Sequence, residues 1–464
     1  MFGAIHNVVT TKEEVVMKTT NFTLVIVMGV LLFSSISVAM SFPPESPRIT
    51  LDGRLSCPYV STHGGTTYLQ ISLATSGGVR RDRRPMNVVV VLDRSGSMSD
   101  AGKMDYAREA LLKLVDQLDR DDIFSLVIYD DVVEVPYPAT RVESKTALKR
   151  LIEKIYPRGS TNLGAGMMEG FRQAERNLSR EYVNRVILLS DGLANQGITD
   201  PMELSRIARL HRTRSISLTT MGVGAEYNEN LMVGLSEAGG GNYYFIESPY
   251  NLASIMGSEL NTLSSVVAQN ASIELTLGRN VRVRDVIGCE HHAEGDNRYI
   301  IPVGDICADE SREFTVELLV PEGAGTMTVV RGSLMYESET IKPRVYPSFS
   351  LSVHYTPDVA VIRKNTDWGT QAKADVAVST RDVEKAMKAL DEGRRDEAEQ
   401  VVSEAKELLS NSPAASMSSA GAASISAQIS RLESYSNTLK DKQGDARVAK
   451  KSIQYNNYKT QRQK

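Results

Sequence analysis

Cysteine, surplus charge of one sign and long apolar runs are all scarce in this chain. Three cysteines in 464 residues, Cys57, Cys289 and Cys307, cannot staple a fold together. An oxidising compartment would permit one bridge, for which Cys289 and Cys307 are the expected pair. The 53 basic and 57 acidic residues leave a formal net charge of -4, so no large positive field draws in phosphate backbones, and nucleic acid is excluded as a partner. The balance of 41% apolar and 24% charged residues is that of an ordinary globular protein and excludes global disorder. Compact domains hold roughly 100 to 200 residues, so two or three are expected at this length.

One apolar run, Phe22 to Phe33, follows the basic Lys18 and leads to the small residues Ser37-Val38-Ala39, the pattern of a secretory signal peptide. A membrane span needs about 20 apolar residues, and Ser34, Ser35 and Ser37 interrupt this run. Residues 1–41 are therefore expected to be a signal peptide with an N-terminal extension ahead of a start at Met17. The protein is then exported to the periplasm, cell surface or exterior. An uncleaved signal would instead anchor the chain in the membrane through residues 22–40.

After Pro43, Pro44 and Pro47, short alternating stretches such as Thr67-Tyr68-Leu69-Gln70-Ile71-Ser72-Leu73 have strand period. The cluster Arg80, Arg81, Arg83, Arg84 reads as a solvated connection. From Asn87 the pattern changes: Val88 to Leu92, Ile123 to Tyr129, Val186 to Ser190, Ile216 to Val223 and Tyr243 to Ile246 are continuous apolar runs separated by amphipathic stretches. That alternation predicts an α/β, doubly wound, mostly parallel sheet covered on both faces, over residues 85–268. Residues 271–356 return to alternating strands, too few to bury a core alone. They are expected to pair with residues 47–79 in one discontinuous β-sandwich, into which the α/β domain is inserted. Residues 371–455 read as a helical region with a hairpin at Gly393. The Ser- and Ala-rich stretch Ser410 to Ala423 is expected to be a flexible link, and the polar tail beyond about residue 455 to be disordered.

The first α/β strand ends in Asp93-Arg94-Ser95-Gly96-Ser97, at the carboxyl edge where open α/β sheets bind ligands. Asp93, Ser95 and Ser97 alternate along a tight loop, so their oxygens can point into one crevice. A hard divalent cation takes about six oxygens, so further ligands must come from other strand ends. Thr161, ahead of a predicted helix, supplies a hydroxyl, and Asp191, directly after the strand Val186 to Ser190, supplies a second carboxylate. Any one of these residues is more simply a cap or turn former. Five oxygen donors at successive strand ends are not obtained by capping preference. Asp130 and Asp131 read as turn residues, and Cys289-Glu290-His291-His292 lacks zinc spacing.

The series Asp-x-Ser-x-Ser, loop Thr and strand-end Asp-Gly resembles the metal-ion-dependent adhesion site of von Willebrand factor A and integrin I domains. The flanking regions are similar to bacterial secreted proteins with such a domain. The resemblance implies that Ser95, Ser97 and Thr161 ligate a Mg²⁺ ion directly, with Mn²⁺ or Ca²⁺ as alternatives, and that Asp93 and Asp191 act through water. It also implies that a protein partner completes the shell with an Asp or Glu. A shell dominated by hydroxyls leaves positive charge on the ion for that visitor.

Two enzyme readings fail on the same residues. A phosphoryl-transfer hydrolase with Asp93 as nucleophile needs a second Asp where Ser95 stands, and a serine hydrolase elbow needs Gly where Arg94 stands. The expectation is a non-enzymatic, metal-dependent binding protein. The alternative is an accessory or assembly subunit of an envelope complex, docking through the α/β domain and the helical tail.

Overall fold

The computed structural model describes residues 48–76, 83–338, 346–441 and 445–462. The export and anchoring expectations for residues 1–41 lie outside them. Among the described residues no helix is long and apolar enough to cross a membrane.

The first strands are β1 (Arg48–Leu55), β2 (Tyr59–Ser61) and β3 (Gly65–Ser76). The α/β segment follows with β4 (Met86–Asp93), β5 (Ile123–Tyr129), β6 (Val133–Arg141), β7 (Val183–Ser190), β8 (Ile216–Val223) and β9 (Gly240–Ile246). They form one six-stranded sheet in the order β6-β5-β4-β7-β8-β9. All pairings are parallel except that of the edge strand β6. That strand was not foreseen, because Pro136 and Pro138 interrupt it, only Ala139 is buried and it carries no continuous apolar run. β4, β5, β7 and β8 are buried at every position, as strands covered on both faces must be. The helices Lys103–Gln117, Lys145–Ile152 and Leu252–Ser264 pack on one face, and Leu163–Glu175, Pro201–Arg212 and Glu229–Gly239 on the other. The expected α/β class with a doubly wound, parallel-rich sheet is therefore what the chain adopts.

The remaining strands are β10 (Val266–Leu277), β11 (Arg282–Ile287), β12 (His292–Glu294), β13 (Arg298–Cys307), β14 (Ser311–Val320), β15 (Thr326–Glu337) and β16 (Ser348–Thr356). They join the first three in two sheets, ordered β1-β3-β14-β11 and β12-β13-β10-β15-β16-β2. Leu69 and Ile71 of β3 share one apolar core with Ile273 of β10, Phe314 of β14 and Leu334 of β15. Strands from both sides of the α/β segment thus close over a common interior. Arg185 on β7 ties the two layers together. It is 2.7 Å from Glu259 on the helix Leu252–Ser264 and 2.8 Å from Asp305 on β13.

Four expectations need correction. Arg80 and Arg81 lie outside the described residues, but Arg83 and Arg84 are not a free solvated connection: the half-buried Arg83 pairs with Asp119 and Asp122, and Arg84 is buried against the carbonyls of Glu181 and Tyr182. Cys289 and Cys307 are free thiols, as is Cys57, and burial pushes the first two up to about 11. The Ser- and Ala-rich stretch is helical, as Ala414–Met417 and the start of Ser419–Lys440. Alanine is the best helix former, and the Ser418 hydroxyl caps the second helix by accepting from the Gly421 amide.

The tail is ordered as well, so the helical region extends from Val359 to Arg462 rather than over 371–455. Its last helix, Ala446–Arg462, is anchored by aromatic contacts. Tyr455 and Tyr458 stand edge-on to Tyr243 of β9, and the Tyr458 hydroxyl accepts from the Tyr243 amide at 3.2 Å. Lys450 and Lys451 close on Glu229.

Candidate metal centre

β4 ends at Asp93, and the chain leaves the sheet in a loop tied to its neighbours by the backbone. The Arg94 amide donates to the Tyr129 carbonyl at 2.9 Å, Gly96 to Gly159 at 3.1 Å and Arg158 to Arg94 at 2.7 Å. Gly159, at φ +69, must be glycine, because a Cβ there would fall 1.9 Å from Asp131 Oδ1. These ties, with the parallel pairing of β4 to β7, bring the ends of β4, β5 and β7 to one crevice at the carboxyl edge.

Three of the expected residues meet directly. The Ser97 hydroxyl donates to Asp191 Oδ1 at 2.8 Å and lies 3.2 Å from the Ser95 hydroxyl. Thr161 joins them across Gly192, whose added Cβ would lie 3.2 Å from Thr161 Oγ1 and 3.7 Å from Ser97 Oγ. Asn195 fixes Thr161 by accepting from its amide at 3.1 Å and donating from its own amide to the Thr161 carbonyl at 3.2 Å. Asp93 lies behind the hydroxyls. Its Oδ1 accepts from the Ser95 amide at 2.8 Å, and its Oδ2 from Ser190 at 2.6 Å and Tyr129 at 3.2 Å. Burial, with a smaller push from nearby Asp191, outweighs the hydrogen bonds from Ser190 and Ser95 and brings the Asp93 carboxyl up to about 6.

Asp130, left out of the site on sequence grounds, is held elsewhere, 2.8 Å from each of Arg94 and Arg158. The sequence reading missed Ser190 and Tyr129, which orient Asp93, and Lys103, whose ammonium lies 2.6 Å from Asp191 Oδ2. Ser190 and Tyr129 could have been found as the last residues of their strands, Tyr129 directly opposite Asp93 and Ser190 one residue past the last pair of β4 with β7, Leu92 and Leu189.

Among the described residues no cluster of three or more His, Cys, Asp or Glu forms a cation site. The crevice instead gathers the hydroxyls of Ser95, Ser97 and Thr161 beside the Asp191 carboxylate, with Asp93 behind Ser95, a donor set suited to a hard divalent cation and not to a soft one. These residues fit such an ion: Ser95, Ser97 and Thr161 would hold it, with Asp93 and Asp191 behind them.

Residues 87–258 match the family model of the von Willebrand factor type A domain. The segment is a von Willebrand factor type A domain. Such domains commonly mediate protein–protein interaction and metal-dependent adhesion, and are generally non-enzymatic. The chain is 28% identical over 261 residues to uncharacterized protein YfbK of Escherichia coli (strain K12), covering 54% of this chain and 45% of that protein. It is 29% identical over 161 residues to inter-alpha-trypsin inhibitor heavy chain H3 of Mus musculus, covering 32% of this chain and 17% of that protein. The chain spans half the length or less of these two relatives. Among solved structures, a von Willebrand factor type A protein from Catenulispora acidiphila superposes with a TM-score of 0.70 at 16% identity, covering 90% of this chain and 98% of that one. The ArnB paralog VWA2 from Sulfolobus acidocaldarius superposes with a TM-score of 0.61 at 20% identity, covering 89% and 98%. Both share the fold around the A domain as well as the A domain itself.

Proposed function

We propose that this is an exported, metal-dependent binding protein of the adhesion type. Its A domain holds a divalent cation, Mg²⁺ foremost with Mn²⁺ or Ca²⁺ as alternatives, at Ser95, Ser97 and Thr161, backed by Asp93 and Asp191. The ion takes an Asp or Glu side chain from a protein partner.

The observation that carries this reading is the Ser97 hydroxyl, 2.8 Å from Asp191 and 3.2 Å from the Ser95 hydroxyl, so that loops from two strand ends share one polar point. With hydroxyls in front and carboxylates behind, a bound ion keeps part of its positive charge and polarises an incoming carboxylate oxygen. Export rests on the run Phe22 to Phe33 and the small residues after it. The accessory-subunit reading docks through the A domain and the helical tail, and of that tail the last helix is occupied on β9 of the same chain through Tyr455 and Tyr458.

Calorimetry with Mg²⁺, Mn²⁺ and Ca²⁺ against wild type and Asp191→Ala tests the centre, with binding heat expected only from wild type. Affinity capture from envelope extracts, with and without chelator, tests the partner. Equal metal uptake by both proteins, or a partner retained equally in chelator, overturns the proposal. N-terminal sequencing of the exported form, expected to begin shortly after Ala39, tests secretion.

A further inference from the structure

Lys103 is placed against two ordinary preferences. It opens the helix Lys103–Gln117, where the macrodipole disfavours a cation, and its side chain is only 9% exposed although lysine normally keeps its ammonium in water. The crevice offsets both costs: Nζ lies 2.6 Å from Asp191 Oδ2 and 3.4 Å from the Ser97 carbonyl. Asp191 is fully buried, and its two oxygens are divided, one accepting from Ser97 and the other from Lys103. Arg94, the other cation on this loop, is turned away to Asp130 and Glu134. Lys103 is therefore the described ammonium or guanidinium that meets a carboxylate of the centre.

We infer that Lys103 is a tethered cation sharing Asp191 with the divalent ion, which keeps metal affinity low and leaves the loaded centre with net positive charge. The inference rests on the proposed function and assigns a specificity-determining residue to the same site. Two carboxylates and one ammonium give the crevice a single negative charge, and a divalent ion reverses its sign. Without the ammonium the loaded centre would be neutral and would hold its metal firmly, with little attraction left for an acidic visitor. Lys103 thus trades metal retention for attraction to a carboxylate.

The test compares wild type, Lys103→Gln and Lys103→Arg by calorimetric titration with Mg²⁺ and by melting in chelator and in saturating Mg²⁺. Lys103→Gln is expected to bind Mg²⁺ at least about tenfold more tightly, while Lys103→Arg, which keeps the charge, stays within about threefold of wild type. In chelator Lys103→Gln should melt below wild type, with Asp191 and Asp93 no longer compensated, and Mg²⁺ should raise its melting temperature by more than it raises that of wild type. Equal or weaker Mg²⁺ binding by Lys103→Gln overturns the inference while leaving the metal centre intact. A melting deficit unchanged by Mg²⁺ also overturns it, since it marks a merely structural lysine. Absence of Mg²⁺ binding in all three proteins overturns the proposed function itself.

Discussion

Arg185 and Glu259 meet at 2.7 Å inside the protein, with neither side chain more than 3% exposed. Thr219, Asn242 and Tyr244 also donate to Glu259, and Asp305 shares the guanidinium. Burial alone would disfavour both charges, and the partners outweigh it, holding Glu259 below the usual carboxylate range. Removing Glu259 leaves the buried Arg185 with Asp305 alone as counter-charge and takes from Thr219, Asn242 and Tyr244 the acceptor they share. Glu259→Gln is expected to cost about 3 kcal/mol of stability, measured by urea unfolding. A cost within about 0.5 kcal/mol, the scale of an ordinary surface change, would show that this network is not a structural tie.

Gly192→Ala probes the crevice without removing a donor. The new methyl would press on the Thr161 hydroxyl at 3.2 Å, so metal affinity should fall by about tenfold while the folded state persists. Mg²⁺ titration beside circular dichroism separates these effects. Unchanged affinity would mean that Thr161 does not face the ion.

The sheet and the crevice were legible in the sequence for a common reason. Strands buried on both faces must be continuously apolar, and their ends must carry the polar residues that turn the chain, so Asp93 and Asp191 announce both edge and site, while Thr161 was legible as the polar residue just before a helix. Lys103 was not legible. A lysine near a helix start is usually solvated, and only the packed structure shows its ammonium turned inward to Asp191. The tail was misjudged because its composition is polar while its aromatic residues are few and clustered. Tyr455 and Tyr458, three apart on one helix face, do the anchoring that average hydropathy conceals.

Tyr458 is 5% exposed and belongs to the core on one face of the A-domain sheet. Tyr458→Ala should therefore cost about 3 kcal/mol and speed amide exchange in β9, as loss of a buried aromatic does. Protection of β9 equal to wild type would show that the tail is a passive cover.

Acid should loosen the same helix. Burial works against ionisation of Glu229, but Lys450 and Lys451 outweigh it and hold its carboxyl below the usual range. A depressed carboxyl contributes stability above its unfolded value of about 4.3 and loses it as the pH falls through the folded value. Amide exchange in Ala446–Arg462, compared with that in β4, should rise selectively below about pH 4.3 in wild type. In Glu229→Gln it should already be fast at neutral pH. Exchange that tracks β4 at every pH would refute the clamp.

The A domain leaves the rest of the protein through β4 and returns through β10, both at the end of the sheet remote from Asp93. The length of β4, about 25 Å, separates the crevice from either covalent junction. The junctions open into β3 and β10, which lie in different sheets over one core. The A domain is thus seated on both layers at once, and neither sheet alone carries it.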